Sequence, residues 1–130
     1  MTRSAGSSAY YPAWIATHPA DLAAARRAIA ARDFEALAGV AEASCLKMHA
    51  AALAARPGLL YWNGATVECI HRIRALRAEG LSVLFTIDAG PQVKAVCTPQ
   101  ARTAVTAALA RVPGVLDVLV TGLGPGVELR

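Results

Sequence analysis

The sequence has 130 residues, a formal net charge of +4 and a hydrophobic content of 55%. This length accommodates one domain, and the low charge combined with the high apolar content excludes an intrinsically disordered chain. A membrane-spanning helix is excluded as well, because the most apolar run, residues 81–87, is far shorter than the ~20 residues that cross a bilayer.

Apolar residues at three- and four-residue spacing predict four helices. The first begins at Pro19, after an aromatic cluster at residues 10–15 that needs a surface to pack on, and it ends at Arg32-Asp33. Residues 1–9 are small and polar, and we interpret them as an arm or as the broken end of a longer segment. Gly80 is a typical end for the third helix. The four predicted helices span residues 19–31, 34–56, 65–79 and 98–112.

Two strands follow the third helix, where the apolar period changes from 3.6 to 2. They span residues 81–87 and 93–97 and are joined by a turn at residues 88–92, and a third strand is predicted at residues 115–121. This order of elements predicts an α+β fold of the ferredoxin-like type. In such a fold the helices pack on one face of a small antiparallel sheet, which here lacks its first strand.

Asp88 is the residue best placed for chemistry. It follows an apolar strand and precedes a Gly-Pro turn, so its carboxylate is held on rigid backbone at a sheet edge. Gly90 removes side-chain bulk beside it, and Pro91 stiffens the loop. Asp, Gly and Pro are also ordinary turn residues, and the spacing alone does not distinguish the two interpretations.

No metal site or phosphate site is predicted. Cys45 and His49 share a helical face, but together with Cys69 and His71 they lack the paired spacing of a zinc module. We therefore interpret His49 as a polar residue of a helix face or of a pocket. The glycine-rich residues 122–126 are interpreted as a tail, because no helix follows whose N-terminus would bind phosphate.

The basic charge is diffuse. The arginines at positions 26–27 and 72–77 have no interleaved aromatic residues, so we interpret them as solvated helix faces rather than as a nucleic-acid surface. The three cysteines are an odd number without a CxxC pair, and they predict reduced thiols in a cytoplasmic protein. Residues 1–11 also lack the apolar segment of a signal peptide.

Four segments, in the same order along the chain, resemble the diphosphomevalonate decarboxylase family of the GHMP kinase superfamily. Residues 85–91, FTIDAGP, resemble the family's TxDAGPN signature. The other three are residues 10–14, YYPAW, which resemble its aromatic segment; residues 45–50, CLKMHA, which resemble its N-x-(L/F)-(K/Q)-x-H-A helix; and residues 60–66, LYWNGAT, which resemble its Y-x-N-x-x-(S/T) stretch. The resemblance covers nearly the whole chain and is to the C-terminal domain.

The resemblance implies an enzyme that uses ATP and Mg²⁺ to phosphorylate the tertiary 3-hydroxyl of mevalonate 5-diphosphate, and then releases phosphate and CO₂ to give isopentenyl diphosphate. It implies that Asp88 is the catalytic aspartate, and that Met1, Ala89 and Gly90 contact the substrate. A fixed carboxylate suits this reaction, because a tertiary alcohol is a poor nucleophile that must be aligned and deprotonated. Gln92 stands where the family usually has Asn, which is expected to alter hydrogen bonding in the loop.

The family's ATP-binding residues and most of its diphosphate-binding residues have no counterpart in this sequence, so no cofactor-binding residue is predicted within the chain. Trp14 follows Met1 by thirteen residues, which matches the family's distance from an internal methionine to its tryptophan. We therefore expect residues 1–130 to be one domain with an internal start. Its N-terminal ATP-binding domain is then missing or separately encoded, and the chain alone is expected to be inactive.

Two other interpretations stay open. The first is a free-standing ferredoxin-like module, either ligand-binding or regulatory. Such a module would bind a small ligand and dimerise through its sheet edge. The second is a structural subunit that completes a separately encoded kinase-like chain. A homodimer is predicted because an open sheet edge and the apolar surface around Tyr10, Tyr11 and Trp14 favour self-association.

Overall fold

The computed structural model describes residues 2–126. Within this range the chain forms five helices and two strands, which confirms the α+β class. None of these helices is long and apolar enough to cross a membrane. In chain order the elements are α1 (Thr2–Ser7), α2 (Tyr11–Ala31), α3 (Phe34–Leu53), α4 (Gly64–Ala78), β1 (Val83–Ile87), β2 (Val93–Cys97) and α5 (Arg102–Leu109).

Helix α2 begins at Tyr11, so the predicted start at Pro19 is wrong. Pro12 lies in the first turn, where a missing backbone N–H is harmless, whereas Pro19 lies inside the helix. An interior proline costs about 3 kcal/mol, and the packing of α2 along α3 outweighs this cost. The aromatic cluster is therefore helical, and Tyr11 packs edge-to-face on Trp14 with the ring centroids 5.7 Å apart. The predicted arm at residues 1–9 contains α1.

Local capping signals explain where α3 and α4 begin and end. Asp33 caps α3 by accepting a hydrogen bond from Ala36 N at 2.9 Å. Asn63 and Thr66 form a capping box at the start of α4, in which Thr66 N donates to Asn63 Oδ1 at 2.9 Å. Gly80 follows α4 with a φ of +94°, a left-handed conformation that favours glycine. Both helices lie close to their predicted positions.

The sheet is a two-stranded antiparallel hairpin in which Phe85 lies opposite Ala95. Val83, Phe85 and Ile87 are almost fully buried. They form the hydrophobic core with residues of α4 and α5, including Ile73. These two helices therefore cover one face of the sheet, and α3 lies along the outer edge of β1.

Three polar side chains of α3 close that outer edge. Phe85 N donates to Glu42 Oε1 at 3.3 Å, and Ile87 N donates to Cys45 Sγ at 3.3 Å. His49 Nε2 lies 3.0 Å from Ile87 O. Glu42, Cys45 and His49 share one face of α3. They take the place of a neighbouring strand and give partners to Phe85 N, Ile87 N and Ile87 O.

Residues 115–126 contain no regular secondary structure, so the predicted third strand at residues 115–121 is wrong. Their apolar pattern is typical of a strand, but a strand forms only where a neighbouring strand supplies backbone partners. Val115 and Val118 pack against the core, whereas Leu116 and Leu119 are 99% and 87% exposed. The segment is therefore an apolar stretch on the surface of the domain.

The outer edge of β2 is expected to make the chain self-associate. Phe85 N–H points away from β2, because it donates to Glu42. Its cross-strand neighbour Ala95 therefore directs its own N–H away from β1. Among the described residues this edge has no neighbouring strand, and such edges pair with other chains. We expect sedimentation velocity to show a mass that rises with protein concentration.

A matched pair of variants tests this expectation. Ala95→Pro removes the outward N–H and should weaken the association, whereas Ala95→Ser keeps that N–H and should associate like the original chain. A wild-type chain that stays monomeric at every concentration, or equal association of the two variants, would contradict the prediction.

Candidate functional site

Asp88 lies directly after β1, at the start of the turn that leads to β2. The strand that carries it is rigid, because Phe85 and Ile87 are 0% and 1% exposed, whereas the Asp88 side chain is 75% exposed. Gly90 N donates to Asp88 O at 2.9 Å, which closes the first part of the turn. The fold therefore presents one carboxylate to solvent from a fixed backbone.

The turn is tied to the start of α4 by a buried threonine. Thr66 Oγ1, which belongs to the capping box, lies 2.9 Å from Pro91 O and donates to it. On the other side of the turn, the side-chain amide of Gln92 lies against Gly90, in the space that a β-carbon would occupy. Helix α4 and Gln92 thus support the backbone on which Asp88 sits.

His49 contacts the residue that precedes Asp88. It is 3% exposed, and its Nε2 lies 3.0 Å from Ile87 O and 3.3 Å from Trp62 Nε1. A protonated Nε2 donates to the carbonyl, whereas an unprotonated Nε2 accepts from the indole, so the two contacts belong to different tautomers. In either state His49 packs on the end of β1, and it helps to fix the backbone before Asp88.

Cys45 has a similar structural role. Burial raises the pKa of the Cys45 thiol, which therefore stays protonated at neutral pH and serves as a hydrogen-bonding group rather than a nucleophile. Cys69 is buried and burial also raises the pKa of its thiol, whereas His71 is exposed. Within residues 2–126, no group of three His, Cys, Asp or Glu side chains lies close enough to hold a metal ion.

An apolar groove of about 470 Å³ opens beside Asp88, between α2, α3 and the face of the sheet that α4 and α5 leave uncovered. Leu84 and Val96 form its floor on the sheet, and Leu22 and Val40 line the helical walls. Asp88 borders the groove at the end of β1. The charged group therefore lies at the border between an apolar surface and solvent.

Ala89 borders a second, smaller cavity of about 50 Å³. Trp14 and Met48 line both cavities and so separate them. The indole N–H of Trp14 is buried and finds no acceptor among the described residues. Of the predicted substrate contacts, Ala89 and Gly90 lie in the turn beside Asp88, whereas Met1 lies outside the described residues.

The structure adds one residue that the sequence analysis did not consider. Lys94 Nζ lies 2.5 Å from Asp88 Oδ2. Lys94 is the cross-strand neighbour of Thr86, so its side chain rises from β2 beside the end of β1. The signal in the sequence is weak, because this contact follows only once the register of the hairpin is known.

A family model described as the mevalonate 5-diphosphate decarboxylase C-terminal domain matches residues 1–118 of the chain. A search of the curated proteins finds no match.

Solved structures of mevalonate diphosphate decarboxylases have a similar fold. That of the Enterococcus faecalis enzyme is 32% identical with a TM-score of 0.80, and the match covers 84% of this chain and 34% of that chain. The Staphylococcus aureus enzyme is 30% identical with a TM-score of 0.80, and the match covers 83% of this chain and 33% of that chain. The structure of MDDEF in complex with MVAPP, AMPPCP and magnesium is 31% identical with a TM-score of 0.81, and the match covers 86% of this chain and 35% of that chain. The chain thus spans about a third of the length of these structures.

Proposed function

Because the chain belongs to the family of mevalonate 5-diphosphate decarboxylase C-terminal domains, we propose that it works as part of an ATP-dependent decarboxylase and supplies the catalytic carboxylate. The observation that carries the proposal is Asp88, an exposed carboxylate at the end of a buried strand and within the segment that resembles the family signature. The free-standing ligand-binding module gains no support from the comparisons.

The proposed reaction has two stages. The tertiary 3-hydroxyl of mevalonate 5-diphosphate attacks the terminal phosphorus of ATP, which forms a new O–P bond and releases ADP. The carbon–oxygen bond to this phosphate then breaks while CO₂ leaves from the neighbouring carboxylate, and the electron pair of the broken C–C bond forms the double bond of isopentenyl diphosphate. The only proton that must be removed is the one on the hydroxyl.

Asp88 is proposed to act on that proton. Its carboxylate accepts a hydrogen bond from the hydroxyl, which aligns the oxygen for attack, and it takes the proton as the O–P bond forms. The rigid strand end suits this task, because a general base must hold its position while the bound substrate reacts. Ala89 and Gly90 place no large side chain beside the carboxylate, so the branched carbon can approach it.

ATP and Mg²⁺ are proposed to bind elsewhere in the enzyme. Within residues 2–126, no group of three His, Cys, Asp or Glu side chains lies together. The related structure of MDDEF in complex with MVAPP, AMPPCP and magnesium supports the use of both by the whole enzyme. Since the chain spans about a third of such structures, we assign nucleotide and metal binding to the ATP-binding part, which completes the shared site.

A domain replacement tests this function. Residues 1–118 take the place of the matching segment in the Enterococcus faecalis enzyme, to which the chain is 32% identical. We expect the hybrid to convert mevalonate 5-diphosphate and ATP into isopentenyl diphosphate, with ADP, phosphate and CO₂ in equal amounts. A folded hybrid that binds both substrates but forms no isopentenyl diphosphate would contradict the proposal.

A further inference from the structure

Lys94 is the cation that contacts the proposed base. Its Nζ lies 2.5 Å from Asp88 Oδ2, and the two side chains are 54% and 75% exposed. The sequence contains two lysines, and the other one, Lys47, pairs with Asp21 at 2.7 Å on the helical side of the groove. Each lysine therefore faces one aspartate, but only Lys94 lies beside the turn.

The Asp88–Lys94 ion pair is easily exchanged. An exposed ion pair contributes only about 0–1 kcal/mol, so an incoming anion can replace Asp88 as the partner of Lys94 at little cost. Lysine suits such an exchange, because its ammonium is a point charge on a flexible stem. The weak pair thus indicates that Lys94 can exchange Asp88 for another anion, and that the contact contributes little to the stability of the fold.

The distance from Lys94 to the reacting atoms supports this interpretation. A hydroxyl oxygen bound to Asp88 at about 2.7 Å lies within reach of the Lys94 side chain, whose Nζ is 2.5 Å from the carboxylate. Phosphoryl transfer to that oxygen brings negative charge towards Asp88, which is itself negative. A cation at this position offsets the repulsion and stabilises the charge that develops.

We propose that Lys94 is an anion-binding residue of the decarboxylase site. It pairs with Asp88 in the free protein, and it moves to an anionic oxygen of the substrates when they bind. This movement frees the Asp88 carboxylate for the hydroxyl proton. The anionic oxygen belongs either to the carboxylate of mevalonate 5-diphosphate or to the transferred phosphate of ATP, which share the chemistry that Lys94 recognises. The inference rests on the proposed function.

Steady-state kinetics of the complete enzyme, meaning this chain joined to the ATP-binding part, tests the inference. Lys94→Met is expected to lower kcat/KM about 10- to 100-fold, the loss typical of one hydrogen bond between charged groups. Lys94→Arg keeps the charge and should recover most of this loss. Arg72→Met is the control, because it removes a solvent-accessible ion pair, that with Glu79, away from the turn, and we expect its kcat/KM to stay within about twofold of the wild type.

The kinetic constants identify the anion. A higher KM for mevalonate 5-diphosphate indicates its carboxylate, whereas a higher KM for ATP or a lower kcat indicates the transferred phosphate. Unchanged kinetics of Lys94→Met, or equal losses in Lys94→Arg and Lys94→Met, would overturn the inference. If Asp88→Asn is inactive in the same experiment, the proposed function survives that result. If Asp88→Asn is as active as the wild type, the proposed function fails, and the role of Lys94 fails with it.

Discussion

Replacing Asp88 with asparagine in the complete enzyme is expected to lower turnover about 10²–10⁴-fold, the usual contribution of an oriented general base. Asparagine has nearly the same size and can still form hydrogen bonds, but it cannot accept the hydroxyl proton. The fold should not change, because the Asp88 side chain is 75% exposed and, among the described residues, hydrogen-bonds only to Lys94. Turnover is measured as ADP and CO₂ release at saturating substrates, with circular dichroism to confirm the fold.

Two further variants sharpen this experiment. Asp88→Ala should lose a similar amount of activity, because the turn is held by Thr66 through Pro91 O and by Gly90 N rather than by the Asp88 carboxylate. Asp117→Asn is the control, since Asp117 is another exposed aspartate, and its side chain accepts a hydrogen bond from Val118 N. Turnover of Asp88→Asn within about threefold of the wild type would show that Asp88 is not the base.

Replacing Arg77 with methionine is expected to lower the free energy of unfolding by about 3–5 kcal/mol. Arg77 forms a two-point ion pair with Glu42, with N–O distances of 2.7 and 3.0 Å, and this pair raises the pKa of Arg77. Glu42 is only 5% exposed and also accepts from Phe85 N. Without Arg77, a buried carboxylate has lost its cation, and the acceptor of Phe85 N is no longer held in place by a second partner. The loss is measured by urea denaturation of the chain.

Arg72→Met is the matched control for that measurement. Arg72 pairs with Glu79 at 3.6 Å, and the two side chains are 41% and 56% exposed, so its removal should cost less than about 1 kcal/mol. The two arginines lie on the same helix, Arg72 in its interior and Arg77 in its last turn. Equal losses for the two variants would mean that burial of the Glu42 pair contributes nothing to stability.

The boundaries of α3, α4 and both strands were predictable because their signals are local. Asp33 and Asn63 supply helix caps from within the same turn, and Gly80 permits the left-handed residue that ends α4. The change of apolar period after Gly80 marks the two strands. Each of these signals depends on residues within a few positions of the boundary, so no tertiary contact is needed to detect it.

Two of the failed predictions depend on distant contacts. Pro19 resembles a helix start, but α2 continues through it because packing along α3 outweighs one lost hydrogen bond. Residues 115–121 are mostly apolar, as in a strand, but among the described residues they have no strand beside them. In both cases the local pattern was correct for an isolated segment, and the surroundings decided its conformation.

The sequence by itself determined the α+β class, the hairpin and the position of Asp88 at the end of a buried strand, since these follow from apolar period and turn residues. Only the tertiary structure decided what surrounds Asp88: the register that brings Lys94 to it, and the packing of α3 that brings His49 to Ile87 O. The physical reason is that both contacts depend on how two elements align: Lys94 meets Asp88 through the register of the hairpin, and His49 meets Ile87 O across 38 positions of the chain. Their distances depend on how whole elements pack, which no short stretch of sequence specifies.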